Sequence, residues 1–388
     1  MPQEAGRGGG LSILQGISKK FRKANIVTIG VEATGWTDYR RLGGLIENFF
    51  RGTVCPCTMP LTTAWRGHGT FMSESREEII IGTRGSELAL VQATATEGLL
   101  GEKFPGTTFS RNIIKTTGDR RTDVSLADVA KAEGTFDKGV FIKELEEALA
   151  DGSVDIAVHS LKDMPTVVDP RFVLAATLER APVRDVLLTK NPGGLDALEK
   201  GSKVGTSSVR RAKQIEFLRP DLEVIDLRGN VPTRVKKLAE NEEYDAILLA
   251  EAGLVRLDFI PEEAHGAEET VKGYPNVFCT RLPESEFYPA AGQGAIGLEI
   301  RRGDEGALVY AESIGHRETW IKITAEREFL RLLEGGCHTP VGVYSHLDGD
   351  EISIFARVFP DAGGTPRTGE AKGSDPIATA LELFNSLK

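Results

Sequence analysis

From Glu78 onward the chain alternates short apolar runs with longer stretches in which apolar residues return at helical spacing. In "EIIIGTRGSELALVQAT" the run Ile79 to Ile81 predicts a short strand, then a turn, then a helix rich in Leu and Ala. "FIKELEEALADG" puts Phe141, Leu145, Ala148 and Leu149 on one helical face, and Gly152 supplies a C-terminal cap. "VDIAVHS" follows, apolar enough for a parallel strand buried on both faces. Strand, helix, strand in that order predicts an α/β architecture with right-handed crossovers.

The same plan returns later. "KVGTSSVRRAKQIEFL" echoes "IIGTRGSELALVQ", and "YDAILLAEAGLVRL" echoes "VDIAVHSLKD". Two similar halves imply two lobes with a cleft between them, and in open α/β sheets ligands bind at the carboxyl ends of the strands. From about Gly315 the pattern changes: "TAEREFLRLLEGG" reads as a helix, and "CHTPVGVYSHLDGDEISIFARVF" as alternating strands around an Asp-Gly turn. This last part is an α+β module with an antiparallel sheet.

Composition adds boundaries. A 388-residue chain exceeds one ordinary core, and 40% hydrophobic with 27% charged residues is globular. Residues 1–77 stand apart as a basic, Gly-rich and turn-rich stretch ahead of an acidic remainder. They read as a leader to an organelle of plastid type, with a cytoplasmic extension as the alternative. The net charge of -10 argues against nucleic acid and anionic lipid as partners, and no apolar run reaches the roughly 20 residues of a membrane span. Cys55, Cys57, Cys279 and Cys337 are too few and scattered for a disulfide framework, and without paired CxxC and His spacing they predict no metal. Cys337 is therefore a free thiol in "EGGCHTPVG".

Anion-binding chemistry recurs at the predicted strand ends. In "GTSSVRR", Thr206, Ser207 and Ser208 stand where a helix begins, with Arg210 and Arg211 behind them. This is an anion site, and the plainer alternative for the stretch taken alone is an ordinary N-cap with two surface arginines. "DLRGNVPTRVKKL" brings Arg228 into a Gly229-Asn230 turn, with Arg234 one turn into the next helix. Arg84 and Ser86 in the first half and Arg256 in the second repeat the theme, which predicts a ligand with several carboxylates or phosphates. "HSLKDMPT" ends a strand with Ser160, Lys162 and Asp163. A carboxylate among so many cations is expected to stay ionised, able to stabilise a developing cation or move a proton. The plainer reading is a Lys162–Asp163 surface pair and His159 packed as a strand residue. "GQGAIG", Gly292 to Gly297, matches G-x-G-x-x-G, but a strand rather than a helix follows it, so no dinucleotide site is expected.

Six stretches, "IGTRGSELAL", "HSLKDMPT", "GTSSVRR", "RGNVPTR", "PAAGQGAIG" and "EGGCHTPVG", resemble in order and spacing the hydroxymethylbilane synthase (porphobilinogen deaminase) family, from about Ile79 to the C-terminus. The resemblance implies a transferase that joins four porphobilinogen molecules head to tail onto a covalent dipyrromethane cofactor, losing ammonia each time, and then releases hydroxymethylbilane by hydrolysis. It implies Cys337 as the thioether anchor and Asp163 as the catalytic residue, placed to stabilise an azafulvenium-like cation. By matching position, Arg84, Ser86, Lys138, Ser160, Lys162, Thr206, Ser207, Ser208, Arg210, Arg211, Arg228, Gly229, Asn230, Arg234, Arg256 and Gln293 would bind cofactor and substrate. The implied fold is α/β in three domains: two periplasmic-binding-protein-like lobes with mixed sheets (78–178 with 295–312, and 179–294) and a small C-terminal α+β domain (313–388). A monomer without metal is implied.

The chain departs from the family at two points. "AKAEGTFDKGVF" is longer than the usual "GGKGLF", although Lys138 and Phe141 still match, and "RAPVRD" keeps Arg184 and Asp185 while Ala181 replaces an acidic residue. A two-lobed polyanion-binding protein without catalysis is the competing function. It leaves Cys337 and Asp163 without a task.

Overall fold

The computed structural model describes residues 76–116, 142–263, 269–333, 340–360 and 363–388. The expected leader, Cys55 and Cys57, Lys138, Phe141, the longer loop around Glu133 and Cys337 lie outside the described residues.

The first lobe begins with β1 (Glu78–Arg84), α1 (Glu87–Lys103), β2 (Thr108–Ile114), α2 (Lys143–Asp151), β3 (Ile156–Ser160) and β4 (Phe172–Thr177). β1 runs parallel to both β2 and β3. Its unbroken apolar text has a simple cause: Ile79 and Ile81 enter one core cluster while Ile80 packs on the opposite face, with Leu145, Leu149 and Ala157. α2 buries the expected stripe of Leu145, Ala148 and Leu149 and ends at Gly152, whose φ of 83° is the left-handed cap that glycine adopts without strain.

The chain then crosses to the second lobe: β5 (Asp185–Thr189), β6 (Lys203–Gly205), α3 (Val209–Leu218), β7 (Glu223–Ile225), α4 (Val231–Glu240), β8 (Ala246–Ala250), α5 (Glu251–Arg256), β9 (Glu269–Val271) and β10 (Tyr274–Arg281). The strand order is β7-β6-β8-β5-β10-β9, with the parallel strands β7, β6 and β8 at one side and β5 and β10 antiparallel. β11 (Ile296–Arg301) returns to the first sheet and inserts antiparallel between β3 and β4, giving β2-β1-β3-β11-β4. Two segments therefore join the lobes. They run side by side, with Ala181 N–H donating to Gly294 O at 3.2 Å. Gly294 has φ 82°, and a Cβ there would stand 2.4 Å from Ala181 O. Gly294 of "GQGAIG" thus serves the close approach of two hinge segments, Gly292 and Gly297 make room for Leu161, and a strand does follow them.

α6 (Glu305–Ser313) covers the first sheet through Ala307, Tyr310 and Ala311. α7 (Arg317–Leu332), β12 (Val341–Asp348), β13 (Glu351–Val358), β14 (Arg367–Gly373) and α8 (Pro376–Ser386) complete a three-stranded antiparallel sheet with its helices. β13 alternates strictly, sending Ile352, Ile354, Ala356 and Val358 into a core shared with Phe329, Ala380 and Leu383. The fold is mixed α/β: two sheet-containing lobes and a small C-terminal sheet and helix domain, as the sequence pattern implies.

Candidate functional site

Most of the expected site residues in the described part stand at or just beyond the carboxyl ends of parallel strands. Arg84 closes β1, Ser160 closes β3, Thr206 to Ser208 follow β6, Arg228 follows β7, and Arg256 ends the helix after β8. The echo in sequence is an echo in structure. Ser86 caps α1 by accepting from Ala89 N–H, and Ser208 caps α3 by accepting from Arg211 N–H. Asn230 caps α4 through Thr233 N–H, after Gly229 at φ 122°. These caps leave helix N-termini, with their positive dipole ends, close after the strand ends. Ser207 Oγ donates to Leu227 O at 2.6 Å and ties the β6 and β7 ends together.

Arg210 and Arg211 are buried on α3 and converge on Asp185, the first residue of β5. Arg210 donates to both Asp185 oxygens at 2.6 and 3.2 Å, and Arg211 donates through Nε and Nη2 at 2.9 and 2.7 Å. Burial pushes the Asp185 carboxyl up, but the two guanidinium charges outweigh it and hold it down at about 2. Gln293, fully buried in the hinge, donates to Asp185 at 3.1 Å and to Val183 O at 2.7 Å, while its Oε1 has no partner. The pair of arginines is thus fixed by a carboxylate that the sequence does not advertise.

Across from them lies the turn after β3. Lys162 and Asp163 are half-buried, and neither side chain makes a hydrogen bond or ion pair with another described residue. They do not form a surface pair. Burial pushes Lys162 down to about 8 against the opposing pull of Asp163, with Arg211 and Arg210 adding repulsion from the other lobe. Arg234 is lowered to about 10 by burial and by repulsion from Arg211 and Arg228, while Asp226 and Asp163 oppose the shift. Arg256 falls to about 10 through burial and donates to Gly294 O at 2.7 Å. The Arg228 guanidinium has no hydrogen bond or ion pair among the described residues, although its backbone carbonyl accepts from Lys237 Nζ at 3.1 Å. The Arg211 and Arg234 guanidinium groups therefore sit close enough to other arginines to be depressed by them, and Asp163 of the opposite lobe acts on both alongside the second lobe's own Asp185 and Asp226. His159 is a strand residue as read, buried and 2.9 Å from Glu299 on β11.

Sequence reasoning missed several supports. Gln92 on α1 exchanges hydrogen bonds with Ser160 at 2.9 and 3.0 Å. Arg180 in the hinge forks onto Glu326 of α7 at 2.7 and 2.8 Å, and Gly292 N–H donates to the same carboxylate at 2.8 Å. Their partners lie far apart in sequence, so periodicity carries no sign of them.

This arrangement defines a two-lobed α/β protein with cationic side chains gathered at its strand ends, a donor set suited to a ligand with several carboxylates. The donor set fits a dipyrromethane: its pyrroles carry acetate and propionate groups, and Lys162, Arg211, Arg228 and Arg234 form a cationic surface that only partly has counter-charges of its own. Comparison with known proteins agrees. The family description "Porphobilinogen deaminase, dipyromethane cofactor binding domain" matches residues 79–308, and "Porphobilinogen deaminase, C-terminal domain" matches 320–388. Porphobilinogen deaminase from Roseiflexus sp. (strain RS-1) is 41% identical over 314 residues, covering 80% of this chain and 96% of that protein. Its counterpart from Sulfurimonas denitrificans is 44% identical over 312 residues, covering 80% and 91%. Among solved structures, the methionine-binding protein MetQ aligns over 63% of this chain and 92% of its own at 10% identity and a TM-score of 0.37. The chain belongs to the porphobilinogen deaminase (hydroxymethylbilane synthase) family. It is a transferase of tetrapyrrole biosynthesis with porphobilinogen as substrate and a dipyrromethane cofactor.

Proposed function

We propose that Asp163 is the catalytic carboxylate, that Cys337 carries the cofactor as a thioether, and that the cationic residues named above bind its carboxylates. When bound, the dipyrromethane supplies the free pyrrole end to which the first porphobilinogen is joined. Each addition forms a carbon–carbon bond, breaks the aminomethyl C–N bond and releases ammonia. The observation that carries the reading is Asp163 itself. Its carboxylate makes no hydrogen bond within the described residues and faces Arg211 and Arg234 across the cleft. There it balances the positive charge that grows as ammonia leaves and accepts the proton lost from the pyrrole carbon.

Lys162 and Arg228 offer uncommitted donors to incoming carboxylates, while Arg210 and Arg211, held by Asp185, keep a fixed cationic wall. The C-terminal domain from 313 presents the tether, the two lobes divide at 178/179 and 294/295, and the enzyme acts as a monomer directed by residues 1–77 to a plastid-type organelle. Porphobilinogen consumption with matching ammonia release tests the reading. Asp163→Ala keeps the fold and the cofactor but loses nearly all turnover. Substantial residual turnover in that variant contradicts the role of Asp163.

A further inference from the structure

Directly after Asp163 the chain runs through Met164, Pro165 and Thr166, and Pro165 has no N–H with which to anchor itself. α7 supplies the anchor. Arg327 Nη2 donates to Pro165 O at 2.7 Å, and the same guanidinium reaches Met164 O and Thr166 O at 3.5 Å. One turn earlier on α7, Ile323 packs in a buried cluster with Leu161 and Met164, which flank Lys162 and Asp163, and with Ala295 of the hinge. Glu326, next to Arg327, is the carboxylate that Arg180 and Gly292 N–H hold in the hinge. Three residues of one helix thus touch both sides of the Asp163 turn and the hinge. α7 ends at Leu332, and Cys337 follows five residues later in the sequence.

We infer that Arg327 is a positioning residue. It holds the Asp163 turn in register with the helix that leads to the cofactor attachment segment, so that the catalytic carboxylate keeps its place while the chain grows. The inference rests on Asp163 being the catalytic carboxylate. A fork that binds consecutive carbonyls fixes backbone position as well as charge, and a displacement of about 1 Å at a catalytic group costs on the order of 100-fold in rate. Lysine has a point charge and no fork, so Arg327→Lys restores only part of what Arg327→Met loses.

The test uses full-length protein loaded with cofactor. Wild type, Arg327→Met and Arg327→Lys are compared by intact mass, by kcat and KM for porphobilinogen, and by hydrogen exchange of the peptide covering 161–168. The expected result for Arg327→Met is a retained two-pyrrole mass, a kcat reduced about tenfold or more, a KM within about threefold of wild type, and faster exchange in 161–168. Arg327→Lys falls between. Turnover of Arg327→Met within about twofold of wild type overturns the inference. So does a loss of turnover that only follows loss of the cofactor mass, because the role is then structural. Should Arg327→Met fail to fold, Arg327→Lys decides alone: lower kcat with cofactor and KM retained supports the role, and unchanged kcat overturns it. A wild type that consumes no porphobilinogen fails the catalytic reading itself, and the two failures are thereby distinct.

Discussion

Asp185 sits where the chain enters the second lobe, accepts from two arginines and Gln293, and leaves no part of its surface to solvent. Removing one member of such a buried charge set leaves the others uncompensated, a loss of about 3–5 kcal/mol. Asp185→Asn therefore lowers stability by that order in chemical denaturation and weakens cofactor uptake. Because the folded carboxyl is held down at about 2, its contribution is full above the unfolded value of about 3.9 and is lost as pH falls toward 2. Acid unfolding of the wild type steepens in that window, and the Asn variant lacks the step. Lys162 has the opposite logic. Its folded value, about 8, lies below the unfolded 10.5, so the folded state loses the proton first and stability rises slightly between those pH values. Over the same range the cleft loses a cation. KM for porphobilinogen accordingly rises above about pH 8 in wild type and lacks that limb in Lys162→Gln. The charges at these positions were legible in "GTSSVRR" and "HSLKDMPT". The partner was not: Asp185 lies 25 residues before Arg210, and only strand insertion brings them together.

At the scale of elements, the strand-helix-strand text of "EIIIGTRGSELALVQAT" and "VDIAVHS" was legible because both strands are buried on two faces. The mixed direction of the second sheet came from the family resemblance and not from the pattern, because β5 and β10 read as apolar runs whatever their orientation. Nor did spacing explain "GQGAIG". The pattern argued against a dinucleotide site, but only the hinge geometry shows what Gly294 does. Gly294→Ala forces both an unfavourable φ and a Cβ into Ala181 O, a loss of about 2–4 kcal/mol in chemical denaturation. Gly273→Ala is the control. Its φ is 83° with nothing within 4 Å, so it carries the backbone cost alone, about 1 kcal/mol. Equal losses in the two variants contradict the close-approach explanation.

For the whole molecule, the acidic net charge and the cationic cleft are compatible because the arginines are gathered at the strand ends, where repulsion among them is relieved by an anionic ligand. The hinge and the C-terminal domain meet at Glu326, which takes Arg180, Gly292 N–H and Ser345 Oγ. Its part was hidden in "TAEREFLRLLEGG", where a buried glutamate looks like any helical surface charge. The covalent cofactor on Cys337 is the central claim, and the intact mass of the purified protein before and after acid denaturation tests it most directly. The account predicts an excess equal to two linked pyrrole units that survives denaturation and maps to the Cys337 peptide. An unmodified mass that stays unmodified after incubation with porphobilinogen contradicts it.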